Sequence, residues 1–174
     1  MKKHPGDDPI ENLATGPAVE KIRGLAEAAR VCLFGTRPTE YPLHVRPMAV
    51  QEVDETGNLW FLSARSSEKN AHIEQDPRVQ LLFANASKSE YLTIEGLATI
   101  SDDRATREKH WTPLAKTWIH EGVDDPELTV IRVSVQDGYY WDTEHGKPIA
   151  LAKIAVGAVT GKTMDDSVEG RVRP

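Results

Sequence analysis

A single cysteine in 174 residues leaves nothing from which to build a disulfide framework or a cysteine metal site. Cys32 lies in the apolar run Val31-Cys32-Leu33-Phe34, so it reads as a small buried hydrophobe and not as a reactive thiol. No apolar run has the length that spans a bilayer, so no membrane partner is expected. The N-terminus is polar, carries Pro5, Gly6 and Pro9, and lacks the apolar region of a signal peptide, which makes the cytoplasm the expected compartment. Positive charge is not in excess: 21 Lys and Arg against 27 Asp and Glu give a formal net charge of −6. That balance argues against a nucleic-acid or anionic-membrane surface, although a local cluster of donors still holds a single phosphate. Walker A, dinucleotide and nucleophile-elbow patterns are all missing, which leaves P-loop, Rossmann and Ser-His-Asp hydrolase readings unsupported. The six histidines (His4, His44, His72, His110, His120, His145) contain no pair at the close helical spacing of a metal site, so no metal is expected. His120, near Asp124 and Asp125, reads as part of a loop charge cluster.

What is present is an ordinary single-domain balance of 39% apolar and 28% charged residues. Residues 1–15 read as a flexible arm, 16–161 as the folded domain and 162–174 as a tail. Pro17 suits the first position of a helix to Arg30, with Val19, Ile22, Ala26 and Ala29 on one face. The period then changes to that of strands: Val31–Arg37, Leu43–Val53, Leu59–Ala64, Arg78–Ala84 and Glu90–Ser101. A short helix near Ser67–Gln75 interrupts them. Ser101 is placed to cap a longer helix through Ile119, with Trp111, Leu114, Ala115 and Trp118 as its apolar stripe. Leu128–Val135 and Tyr139–Thr143 read as a hairpin turning at Gln136-Asp137-Gly138. Ile149–Val159 suits either a strand or a helix. About seven mostly antiparallel strands joined by short turns imply a β-barrel with helices over its ends.

Two segments carry chemistry. Alternation in the second strand puts Leu43, Val45, Ala49 and Val53 on one face and His44, Arg46, Met48 and Val50 on the other. Pro47 donates no ladder hydrogen bond, so this strand is an edge, a bulge, or lies against something needing no donor. One element later, Leu59–Ala64 feeds into Arg65-Ser66-Ser67-Glu68-Lys69. Free helix N–H groups, serine hydroxyls and an ammonium converge there, which suits a phosphate. Each segment alone is equally an ordinary surface arginine or a capping box. Together, on neighbouring strands, they point to a phosphate-sized anion. Trp118 lies where an indole could cover a planar ligand or donate to a phosphate, though packing is an equal use for it.

His44-Val45-Arg46-Pro47-Met48, Leu59-Trp60-Phe61-Leu62-Ser63 with Ser67 and Lys69, Tyr91-Leu92-Thr93-Ile94-Glu95-Gly96, and Trp111…Trp118 followed by Asp124-Asp125-Pro126 and Tyr140-Trp141-Asp142 resemble, in order and spacing, the FMN-binding split-barrel superfamily related to pyridoxamine 5′-phosphate oxidase, in its general stress protein branch. The resemblance implies a mainly β (α+β) fold, a six- to seven-stranded antiparallel split β-barrel with flanking helices. It further implies FMN, with its phosphate held by Arg46, Ser67 and Lys69. Val45, Arg46, Pro47, Met48, Leu62 and Ser63 then line the ring, and Trp118 comes from either chain of a homodimer with flavin at its interface. Glu68 stands where the true oxidases carry arginine, and their C-terminal arginine and histidine motif is missing, so pyridoxamine phosphate oxidation is not expected. A flavin-dependent oxidoreductase of unknown substrate is the implied activity. A non-catalytic flavin module or sensor, or the same fold holding F420 or haem, is the alternative. Glu95 and His44 are the weak candidates for acid–base work.

Overall fold

Alternation of buried and exposed side chains is cleanest in Arg78–Asn85 and Glu90–Ser101, where Val79, Leu81 and Phe83 face inward opposite Leu92, Ile94 and Ala98. These two strands form the central hairpin in a computed structural model that describes residues 10–117, 119–143 and 167–174. The elements in chain order are β1 (Leu13–Ala14), α1 (Thr15–Ala29), β2 (Val31–Thr36), β3 (His44–Ala49), β4 (Glu52–Val53), β5 (Leu59–Ala64), α2 (Glu68–Gln75), β6 (Arg78–Asn85), β7 (Glu90–Ser101), α3 (Arg104–His110), 3-10 turns at Pro113–Thr117 and Gly122–Asp124, β8 (Leu128–Thr143) and β9 (Ser167–Arg173). Seven of the strands have six residues or more.

The sheet runs β3-β2-β6-β7-β8-β9-β1, antiparallel except for β1 on β9. The first part of β8 also pairs with β5, and β5 with β4, so the sheet branches and curls into an antiparallel split β-barrel with flanking helices. The split lies between β3 and β5, which share no ladder. Side chains from both sides fill the interior: Phe34, Phe61, Leu81, Ile94, Ile131 and Tyr140 are all fully buried. Helix α1 closes one end with Ala18, Ile22, Leu25 and Ala26. A second apolar cluster of Leu62, Ala115, Ile119, Leu128 and Val130 covers the other face of β5 and β8, with Trp111 packed against it. Cys32 is buried in the main core, and burial pushes its thiol up to about 12, so it is inert as expected.

Four expectations need correction. The hairpin expected at Gln136-Asp137-Gly138 is one continuous strand, β8. A bulge opposite Glu95/Gly96 absorbs the extra residue and lets β8 bend from β5 toward β9. The helix expected to run through Ile119 ends at His110, because Pro113 has no N–H to continue it; its cap is Asp103, which accepts from Thr106 N at 2.9 Å, and not Ser101. The end of the expected tail is β9, hydrogen-bonded along β8 from Thr143 to Gly138. The end of the expected arm is also docked: Ile10 bridges Glu169, Leu13–Ala14 pairs with β9, and Tyr140 Oη donates to Glu11 O at 3.0 Å. Gly170 permits this approach, since a Cβ there would overlap the Glu11 carbonyl oxygen. Ile149–Val159 and Trp118 lie outside the described residues.

The turn from β4 into β5 is held by one carboxylate. Asp54 accepts from Thr56 N and Oγ1, Asn58 N and Nδ2, and Trp60 Nε1, all at 2.8–3.0 Å. Partial burial alone would raise its pKa, but the hydrogen bonds from Asn58, Trp60 and Thr56 outweigh it and hold the group at about 2. A carboxyl depressed on folding contributes stability above its unfolded value of about 3.8 and loses it as pH falls through about 2. The melting-temperature gap between the native protein and Asp54→Ala is therefore expected to be widest above pH 4 and to narrow toward pH 2. A gap independent of pH would count against this account.

Candidate functional site at the barrel split

β3 is the edge strand of its sheet, which accommodates Pro47. Its alternation turns His44, Arg46 and Met48 inward and leaves Val45, Pro47 and Ala49 exposed. The Arg46 guanidinium is anchored through one nitrogen. Nη1 donates to Thr36 Oγ1 at 2.7 Å, His44 O at 3.0 Å and Phe34 O at 3.3 Å. Its Nε and Nη2 have no acceptor among the described residues.

Across the split, β5 delivers Ser63 and then the start of α2. Ser63 Oγ donates to Asn70 Oδ1 at 2.7 Å, Asn70 Nδ2 to Thr129 Oγ1 at 2.9 Å, and Thr129 Oγ1 to Ser63 O at 3.0 Å. All three side chains are buried, so this closed circuit fixes the first turn of α2 against β5 and β8. Ser67 is the N-cap residue with extended backbone but makes no capping bond; its Oγ lies 3.2 Å from both Ser63 Oγ and Asn70 Oδ1. The N–H groups of Glu68 and Lys69 have no backbone acceptor among the described residues. These are the unpaired donors that a helix start presents to an anion.

A chain of three contacts, one of them crossing between the sides at Thr36 and His72, links Arg46 to Glu68. Arg46 Nη1 touches Thr36 Oγ1, Thr36 Oγ1 lies 2.9 Å from His72 Nδ1, and His72 Nε2 lies 3.5 Å from Glu68 Oε1. Burial pulls the Arg46 guanidinium below its ordinary value, and Glu68 pushes it back. Burial, followed by the Arg46 charge, pulls the Lys69 ammonium down. Burial also lowers His72, which keeps the ring neutral near pH 7. Arg46 and Lys69 are thus two half-buried like charges, the Arg46 charge acting on Lys69, and neither forms an ion pair among the described residues.

Of the expected site residues, the fold brings Arg46, Ser67 and Lys69 to the split. Val45 and Pro47 stand exposed on the outer face of β3, whereas Met48, Leu62 and Ser63 are buried. Glu95 is not at the split: it is exposed on β7, in the outward-facing row with Gln80, Gly35 and Val45. Sequence reasoning missed Thr36, Asn70, His72 and Thr129. The i,i+4 spacing of Glu68 and His72 was a usable signal; the approach of Thr36 and Thr129 depends on strand pairing and leaves no local mark.

Residues 17–165 match the family described as pyridoxamine 5′-phosphate oxidase like. The protein bli-3 of Neurospora crassa is 29% identical over 126 residues, 67% of this chain and 60% of that protein, so the chain spans about three fifths of that relative's length. A solved general stress protein 26 from Jannaschia sp. CCS1 superposes with a TM-score of 0.73 at 22% identity, covering 88% of this chain and 94% of that one. The general stress FMN/FAD binding protein of Xanthomonas citri superposes with a TM-score of 0.61 at 23% identity, over 72% of this chain and 87% of that one. Likeness at these identities establishes the fold.

Proposed function

Because the chain belongs to the pyridoxamine 5′-phosphate oxidase-like family, we propose that it belongs to the general stress branch of that family, binds FMN at the barrel split and serves as a flavin-dependent oxidoreductase. The observation that carries this reading is the pair of half-buried cations Arg46 and Lys69, of which the Arg46 charge lowers the Lys69 pKa. Neither has an ion-pair partner among the described residues, and Lys69 is itself one of the first-turn residues of α2 whose N–H groups are unpaired. A phosphate dianion neutralises both and accepts from Arg46 Nε and Nη2, Lys69 Nζ, Ser67 Oγ and the helix amides. The donor set fits the group. The backbone of Val45–Met48 and Leu62–Ser63, on the strands bordering the split, is available to line the ring, with Trp118 as a further contact.

FMN supplies the redox chemistry when bound; the chain's own residues bind, orient and set the local charge. Glu68 adds a carboxylate beside the two cations, which lowers the positive charge available to a second phosphate ester. That agrees with a substrate other than pyridoxamine phosphate. No helix among the described residues is long and apolar enough to cross a membrane, and a cytoplasmic location is part of this reading.

The reading includes a homodimer. The outer face of β3-β2-β6-β7-β8 exposes Val45, Leu33, Val31, Tyr91 and Trp141, each at 40–47% of its surface. Cross-strand register places them in adjacent rows, and Val31, Leu33, Leu82, Ala84, Tyr91 and Trp141 line an apolar groove of about 590 Å³. Exposed apolar patches of this kind mark association surfaces. Sedimentation of the native chain is expected to give twice the chain mass, and Leu33→Glu the chain mass with an unchanged circular dichroism spectrum. A native monomer would remove the dimer from the account.

The absorption spectrum of the purified protein tests the cofactor. The expected result is a yellow protein whose released pigment is FMN. A haem or F420 spectrum, or a colourless protein that takes up no FMN, would overturn the reading. Reduction of the bound flavin by NAD(P)H with reoxidation by an acceptor separates an oxidoreductase from a non-catalytic module.

A further inference from the structure

We propose that His44, Glu68 and His72 form a binding site for a divalent transition-metal ion of the zinc and cobalt class. One ligand atom from each lies within 4.8 Å of the other two. Glu68 and His72 share a face of α2 at i,i+4, and strand β3 brings in His44, whose ring meets that of His72 edge-on with centroids 5.0 Å apart. The histidine spacing in the sequence conceals this, since His44 and His72 are 28 positions apart and meet only across the barrel.

The donor chemistry suits such an ion. Two imidazoles and one carboxylate are a zinc-type set, and three protein ligands leave a fourth position open to water or an anion. His72 is fixed. Its side chain is 6% exposed, and Thr36 Oγ1 at 2.9 Å from Nδ1 holds the ring so that Nε2 faces the Glu68 carboxylate. A metal-bound histidine needs this kind of support on its second nitrogen. His44 and Glu68 are adaptable, with side chains 35% and 71% exposed. Metal–ligand bonds of about 2.0–2.2 Å put tetrahedral donors roughly 3.4 Å apart. His72 Nε2 and Glu68 Oε1 at 3.5 Å already meet this, and the other separations, at most 4.8 Å, close by up to roughly 1.4 Å around a stationary His72. The nearby Arg46, Lys69 and Arg37 charges oppose a cation. Glu68 offsets them in the site itself, as does Glu40, which lies 3.7 Å from His44 Nε2 and 3.3 Å from Arg37 Nη1.

The inference stands on side-chain geometry and not on the flavin reading. Its test is Zn²⁺ titration of the full, untagged protein after dialysis against a chelator, followed by calorimetry, with Co²⁺ as a spectroscopic substitute. One equivalent is expected to bind, with visible Co²⁺ bands of a tetrahedral or five-coordinate site. Glu68→Ala and His44→Ala, both at partly exposed positions and checked for fold by circular dichroism, are each expected to lower Zn²⁺ affinity at least ten-fold. Thr36→Val is expected to lower it by roughly 10- to 100-fold, the usual scale for a supporting residue. Absence of one-equivalent binding, or unchanged affinity in Glu68→Ala and His44→Ala, would overturn the site. FMN titration of the same samples reports separately, so loss of either function is read without the other.

Discussion

Arg46→Ala is expected to weaken FMN binding by about 1.5–3 kcal/mol, roughly 10- to 150-fold, the scale of a lost charge-assisted hydrogen bond. The guanidinium is held before any ligand arrives, because Nη1 is taken up by Thr36, His44 and Phe34. Little side-chain ordering is then left to oppose binding. Lys69→Ala is expected to act in the same direction with a smaller loss, since a flexible ammonium is less pre-organised than an anchored fork. Arg46→Lys should fall between native and Arg46→Ala, keeping the charge but not the fork. Fluorescence titration of FMN reads these effects, and thermal melts confirm that the variants fold. Native affinity in both alanine variants would take the phosphate away from this pair.

Phe61→Ala is expected to cost about 3–5 kcal/mol of folding stability, read as a fall in the urea midpoint, against a typical total of about 5–15 kcal/mol. Phe61 on β5 meets Phe34 on β2 edge-to-face, with centroids 5.2 Å apart and planes at 85°. These strands share no ladder, so the ring pair adds an apolar contact between the two sides of the split to the Thr36–His72 hydrogen bond. It also bears on the site, because Phe34 lies directly opposite Arg46 and its carbonyl accepts from Arg46 Nη1. Phe61→Leu, which keeps most of the volume, should lose much less. Equal losses for the two variants would mean that the cavity is not what matters.

Local pattern made much of this legible. Period-two alternation in His44–Ala49 put Arg46 and Met48 on one face opposite Val45 and Ala49. Which face turns inward came only with the fold, which exposes the apolar Val45 and Ala49 and turns Arg46 in. Pro47 left an edge as one of three options, and Asp54–Asn58 announced a turn. The failures have physical causes. Asp137-Gly138 carries a turn signature, yet Gly138 is buried where a Cβ would meet Thr93 O at 2.8 Å, so the glycine serves close strand packing. The stripe from Trp111 to Trp118 has helical spacing, but Pro113 breaks it; Ala115 in the 3-10 turn and Ile119 beyond it are still buried. The strand at Ser167–Arg173 is short and charged, and only pairing with β8 and β1 gives it order. At the site, the charged residues were visible as residue types. Thr36, His72, Asn70 and Thr129, which hold the charged and capping residues in place, were not, because their roles exist only after β2, β5 and β8 have assembled.

FMN and riboflavin differ only in the phosphate, so their affinities for the native protein and for the Arg46→Ala/Lys69→Ala double variant isolate the central claim. Native protein is expected to bind FMN at least ten-fold more tightly than riboflavin, and the double variant to bind the two alike. Equal affinities in the native protein, or a preference that survives in the variant, would contradict a phosphate held between Arg46 and Lys69.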